Sequence, residues 1–411
     1  MLLLAPMFDV TDTVYRSAIM TRRRIRSTRV VAAAGGSSSS SAPAAAAAAA
    51  GNGFHDEQGA GGTPDVVFTE FVSADGLCHP EGRTRLLPML RFDARAQRPC
   101  VAQLFGRDPN TVERAAAMCV ELGFDAIDLN FGCPDAAVVK RQGAGAALIR
   151  EPDVAVALVA AAKRGAAGAL PVSVKTRAGF SSRDELEPWV SALLAAEPAA
   201  LTLHARTARE LSKADADWGL VARAAALARG TGTPVFGNGD VASTAHAAAL
   251  CAEHGADGAM IGRGVLTNPW FFEGRDVARV PADERFGAVL QHLEAFAAAH
   301  GGGRGDAARG DDAFHQERKA FTRLKKCFRG YFHSMPGGCA RVKKAKRDLH
   351  AAKTAVEAIE VATAYLGPRD RRRDDDDVVS SGAATVAPPA DDGIAEEERA
   401  LRSSVAMTMS R

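Results

Sequence analysis

Eight short β-rich runs recur along the chain, most of them followed by a stretch with helical periodicity. The strand candidates are Leu2–Ala5, Asp65–Glu70, Pro99–Leu104, Phe124–Leu129, Pro171–Lys175, Ala200–His204, Pro234–Asn238 and Asp257–Ile261. Helical patterns fill Asn110–Leu122, Pro152–Arg164, Arg183–Ala196, Trp218–Arg229 and Ser243–His254. Parallel strands need crossovers of this kind, and eight is the number that closes a barrel. The spacing therefore predicts an α/β fold, a (β/α)8 TIM barrel over residues 1–275. An open doubly wound sheet would place a Gly-x-Gly-x-x-Gly turn after its first strand, where this chain reads Ala5-Pro6-Met7-Phe8-Asp9.

The chain has 411 residues, enough for such a barrel and a small second domain. Residues 22–62 run through an Arg cluster, five serines and an Ala tract, and are expected to form a disordered surface insertion between strands one and two. Residues 283–366 are helical in pattern, with a Gly-rich break at Gly301–Gly305, and form a small C-terminal helical domain in this reading. The charged tail, 367–411, is expected to be disordered. The formal net charge is only +2, but between Glu317 and Asp348 eleven Lys or Arg stand against those two acids. A basic segment on a neutral protein suits a phosphate-contacting surface; a solvated helix face is the plainer reading.

Seven cysteines form no Cys-x-x-Cys pair and no zinc spacing, which predicts a reducing compartment and no metal site. No apolar run approaches the ~20 residues of a membrane span, so no membrane association is expected. The expected location is the cytoplasm, or an organelle if a presequence preceded the first strand.

A barrel places its reactive groups at the carboxyl ends of the strands. Those ends are polar here: Gln103, Asn130, Lys175, His204, Asn238 and Arg263. The last two loops, Gly237-Asn238-Gly239-Asp240 and Gly262-Arg263-Gly264, have the glycines that let backbone N–H groups approach an anion. Their position predicts a phosphate-bearing cofactor. Lys175, pointing into a barrel mouth, requires negative charge nearby: either the anionic edge of a reduced flavin or, as the competing reading, a Schiff-base carbonyl. Gln103 could bond the polar edge of a flavin ring. Cys133, between Gly132 and Pro134, is either a small buried hydrophobe or a thiol presented as a general acid.

At these residues the sequence closely resembles the dihydrouridine synthase family. The carrying strings are Ala5-Pro6-Met7 with Arg16, Thr69-Glu70-Phe71, Ala102-Gln103-Leu104-Phe105-Gly106, and Asp128-Leu129-Asn130-Phe131-Gly132-Cys133-Pro134 with Gly143-Ala144-Gly145-Ala146. Val174-Lys175-Thr176-Arg177, His204-Ala205-Arg206-Thr207, the two glycine loops and Asn268-Pro269-Trp270 complete them. The resemblance implies an FMN-dependent oxidoreductase that uses NADPH to reduce uridine in tRNA to 5,6-dihydrouridine. Cys133 would supply the proton at C5. Pro6, Met7, Gln103, Lys175, His204, Asn238, Gly239, Asp240, Gly262 and Arg263 would hold FMN. Asn130, Arg177 and Arg206 would meet the uridine, and Lys325, Lys326 and Arg329 the tRNA backbone; no obligate protein partner is implied. Two alternatives are a flavin oxidoreductase of a free pyrimidine, similar to dihydroorotate dehydrogenase, and a non-catalytic tRNA-binding protein.

Overall fold

The structure, a computed structural model, describes residues 1–8, 10–20, 62–300, 311–334 and 340–366. The expected insertion, except residue 62, the Gly-rich break and the tail fall outside the described residues. All eight expected strands form: β1 (Leu2–Leu4), β2 (Val66–Ser73), β3 (Cys100–Phe105), β4 (Ala126–Phe131), β5 (Val172–Gly179), β6 (Leu201–Thr207), β7 (Val235–Asn238) and β8 (Gly258–Ile261). They pair in parallel in sequence order, and β1 joins β8 from Leu2↔Ala259 to Leu4↔Ile261, closing the barrel without an edge.

Three strands run three or four residues further than the sequence suggests. The expected ends at Glu70, Lys175 and His204 are where polar side chains weaken the β signal. Pairing with neighbours carries β2 to Ser73, β5 to Gly179 and β6 to Thr207, through register shifts at Phe68/Phe71 and Arg177/Gly179. The helices between strands are set by local chemistry. Pro109–Glu121 starts behind Asp108, whose carboxylate accepts from the Asn110 N–H. Thr244–His254 starts behind Ser243 and stops at Gly255. The expected single helix Arg183–Ala196 is a 3-10 turn, Arg183–Glu185, followed by the α-helix Leu186–Ala195; a Ser182/Glu185 capping box fixes the turn.

Side chains alternate along each strand, so the barrel interior is layered. Leu3, Ala5, Phe68, Val101, Phe236 and Met260 fill its amino-terminal end. Further along the same inward faces stand polar residues, which makes the mouth a site. Outward positions such as Leu129, Val174, Leu203 and Val235 pack against the helices in the main core.

Among the described residues four long helices follow the barrel: Ala282–His300, Asp311–Tyr331, Ala340–Ala351 and Ala355–Leu366. They dock tightly. A Cβ on Gly330 would stand 2.0 Å from the Leu266 carbonyl oxygen, so only glycine allows Asp311–Tyr331 to lie against the turn after β8. The buried Arg285 guanidinium donates to the carbonyls of Val280 (2.9 Å), Val277, Tyr331 (3.1 Å) and His333 (2.8 Å), joining the post-barrel linker to the second helix. No described helix is long and apolar enough to cross a membrane.

Candidate active site

Strand register brings the expected polar residues side by side. Gln103 pairs with Asp128, Asn130 with Lys175, Arg177 with His204, and His204 with Asn238. The half-buried Lys175 Nζ donates to Asn238 Oδ1 at 3.2 Å, and Asn238 Nδ2 donates to the Met260 carbonyl at 2.8 Å. Burial, with Arg177 as a like charge, lowers the Lys175 ammonium to about 8, against the pull of Asp128 and Cys133.

Cys133 is the second residue of the loop after β4 and is half-buried. Asn130 Oδ1 accepts from the N–H groups of Gly132 (3.0 Å) and Cys133 (2.8 Å), and the Cys133 carbonyl accepts from Ala146 N at 3.0 Å. The thiol lies at the border of an aromatic cluster of Phe8, Phe71 and Phe105. Burial pushes it up to about 11, so it carries its proton at neutral pH. A thiol that keeps its proton suits a proton donor better than a resting nucleophile.

Arg177 braces this loop. Its Nε donates to the Gly132 carbonyl at 2.9 Å, and its Nη1 to Thr207 (3.0 Å) and Leu211 (2.9 Å). Arg206 is committed in a similar way: Nε bonds the Ala214 carbonyl at 2.6 Å, Nη1 meets His204 Nε2 at 3.2 Å, and Nη2 bonds Asp240. Arginine only donates, and burial with four nearby cations holds His204 well below the usual imidazole range. His204 is therefore neutral, with Nε2 accepting and the proton on Nδ1. Asp240 also accepts from Ala216 N at 2.8 Å, so its carboxylate is a brace for the β7 loop.

At the β7 and β8 ends, Gly239 takes a φ of 127°, open only to glycine, which turns the loop. A Cβ on Gly262 would meet only Ala5 Cβ, at an ordinary contact distance of 3.9 Å, so this backbone is not crowded. Ala5 N donates to the Ile261 carbonyl at 2.9 Å, which brings Pro6 and Met7 beside that loop. The Arg263 side chain is 46% exposed, against 3% for Arg206.

The three cations expected at the tRNA backbone differ. Lys325 Nζ donates to the His350 carbonyl at 2.9 Å and to that of Ala352, capping the helix Ala340–Ala351. Lys326 is half-buried and Arg329 exposed. The same basic segment holds a second set that sequence reasoning did not single out. Lys343, Lys346, Arg347 and His350 line a groove of about 550 Å³. Their spacing puts them on one helix face, a signal readable in the sequence. Among the described residues no carboxylate pairs with any of the four, whereas Lys344 is tied to Asp348 at 2.7 Å. Sequence reasoning also assigned no role to Asp128 or Ser173, although an acid at an inward strand position is a legible anomaly.

A family model described as "Dihydrouridine synthase" matches residues 3–352. The "Probable tRNA-dihydrouridine synthase" of Staphylococcus aureus (strain COL) is 35% identical over 296 residues, 72% of this chain and 76% of that protein. The "Probable tRNA-dihydrouridine synthase 2" of Bacillus subtilis (strain 168) is 41% identical over 214 residues, 52% of this chain; the chain spans 64% of the length of that relative.

Proposed function

Because this chain belongs to the dihydrouridine synthase family, we propose that it reduces uridines of tRNA to 5,6-dihydrouridine, with FMN in the barrel mouth and NADPH as the reductant. One observation carries the reading: strand register sets Lys175 beside Asn130, and Asn130 Oδ1 accepts from the Cys133 N–H, so the ammonium and the protonated thiol belong to one barrel mouth.

The donor set suits a flavin mononucleotide. Lys175 keeps N–H groups beyond its bond to Asn238 and offers a cation to the electron-rich edge of the ring. Gln103 and His204 would border the ring and ribityl chain, with Pro6 and Met7 beside them. Asn238, Gly239, Gly262 and Arg263 would hold the phosphate, near the amino terminus of Thr244–His254. When bound, FMN supplies hydride to C6 of the uracil ring. Asp240 and Arg206 support this set from behind through their mutual bond.

The chain's own residues then handle the proton and the RNA. Cys133 Sγ delivers its proton at C5, and Asn130 and Arg177 keep the thiol's loop in place. Reaching the mouth requires the base to leave its stack. We read residues 1–275 as the catalytic barrel and 283–366 as the unit that grips the tRNA backbone. There Lys326 and Arg329 are joined by Lys343, Lys346 and Arg347, whose side chains are exposed. Phosphate contacts of this kind position the RNA without reading its sequence.

The test is direct. Purified protein should take up FMN, oxidise NADPH and form dihydrouridine in an unmodified tRNA transcript, measured by mass spectrometry of its nucleosides. Protein that takes up no flavin sinks the whole reading; a loaded protein that leaves tRNA unchanged sinks the substrate.

A further inference from the structure

We infer that Asp128 is a positioning residue for Cys133, acting through a directional chain of hydrogen bonds that runs from the barrel interior to the thiol's own backbone. The inference rests on the reading of Cys133 as the proton donor.

Asp128 lies on the inward face of β4, two residues before Asn130, and is fully buried. Ser173 Oγ donates to its Oδ1 and Gln103 Nε2 to its Oδ2, each at 2.6 Å. A buried carboxylate costs stability, and an apolar side chain would fill the barrel with less penalty. Burial pushes the Asp128 carboxyl up to about 6, against the bonds from Ser173 and Gln103 and the charge of Lys175, and both of its oxygens accept, as those of a carboxylate do.

An ionised carboxylate only accepts, and that breaks a near-symmetry further along. The Gln103 amide must turn its NH2 toward Asp128, which turns its carbonyl oxygen toward Asn130. There Asn130 Nδ2 donates to Gln103 Oε1 at 3.0 Å. The orientation of Asn130 follows: its oxygen faces the other way, onto the N–H groups of Gly132 and Cys133. With Gln103 reversed, two NH2 groups would face each other and two oxygens would meet at Asp128. Asp128 at one end and the Gly132 and Cys133 N–H groups at the other thus demand the same polarity of every link, and the last link holds the loop that carries the thiol.

The test compares Asp128→Leu with Asp128→Asn by hydrogen exchange at the amides of Gly132 and Cys133, read on a peptide ending before Pro134. Asp128→Leu removes the acceptor, and exchange there should rise at least about tenfold while the outer barrel helices stay protected. Asp128→Asn can still offer its oxygen to Gln103 and its NH2 to Ser173 Oγ, and should stay within about threefold of wild type. In FMN-loaded protein, Asp128→Leu should lower single-turnover reduction of tRNA uridine about 10–100-fold, with the Asn variant restoring most of it. Unchanged protection in Asp128→Leu overturns the proposal, and so does an Asn variant as loose as the Leu one. If Asp128→Leu does not fold, Gln103→Leu breaks the next link and must loosen the same amides; protection there overturns the relay. Exchange is read without flavin or RNA, so the relay can stand or fall apart from the proposed activity.

Discussion

The barrel mouth and the helix Ala340–Ala351 both gather cations, but they hold them in opposite ways. In the mouth, Arg177 is bonded to three carbonyls, Arg206 to a carbonyl, an imidazole and a carboxylate, and Lys175 to Asn238. On the helix, Lys343, Lys346 and Arg347 are exposed and make no ion pair with a carboxylate among the described residues, although Arg347 lies near enough to Asp348 to favour its ionised form. Fixed charges suit chemistry, where a displacement of an ångström matters. Free charges suit a polyanion that must be held in register without base contacts. The comparison teaches that charge count is a poor guide to role, and that the partners of each cation tell more.

The largest break of the comparison is at the thiol. Cys133→Ala should lower dihydrouridine formation about 10²–10⁴-fold, the range of a general acid, while tRNA affinity stays within about twofold. Gel-shift titration beside nucleoside analysis measures both. A comparable loss of RNA binding would show that the mouth also grips. Next comes the basic face. Replacing Lys343, Lys346 and Arg347 together by Ala should weaken tRNA binding about 10–100-fold at low salt and flatten the salt dependence by roughly 0.7–0.9 per lost phosphate contact. Flavin uptake should be unchanged, because these residues lie on the helices after the barrel.

Lys175 sharpens the comparison from the other side. Its folded value of about 8 is below the 10.5 of a free lysine, so burial of the cation costs stability in full below about 8, and the cost is relieved as pH rises toward 10.5. Lys175→Met should therefore stabilise the empty barrel by about 1–3 kcal/mol at neutral pH, as read by thermal or urea unfolding. The same residue should make FMN affinity fall by up to about tenfold per pH unit above 8, as the cation is lost. A flat affinity profile from pH 7 to pH 9 would remove Lys175 from the flavin's surroundings.

The fold was legible because strand and crossover periodicity is local: all eight strands lie where apolar runs and turn residues place them. The candidate site was legible as a set, since barrel ends collect function. What each member does was less so. Arg177 meets Thr207 and Leu211, 30 and 34 residues away, and no spacing rule announces those carbonyls. Asp128 stood inside a quoted motif, yet its meaning depends on Gln103 and Ser173 from two other strands. Partners brought together only by barrel closure are invisible to a one-dimensional reading.

Lys325 shows the same limit and gives the smallest expected effect. In the sequence it stands next to Lys326 within the basic segment and reads as one more phosphate contact. In the structure it crosses to the end of Ala340–Ala351, where its ammonium meets carbonyls left without intrahelical partners. It also lies 5.0 Å from the Phe321 ring centre, and burial lowers its ammonium below the ordinary range. A cation held this way serves the helix dipole. Lys325→Met should thus cost about 1 kcal/mol of stability and change tRNA affinity by less than about twofold. Lys346→Ala should do the reverse, with stability within about 0.5 kcal/mol of wild type and a measurable loss in binding. If Lys325→Met instead weakens binding as much as Lys346→Ala and leaves unfolding unmoved, hydrogen-bond commitment does not separate structural from RNA-facing cations.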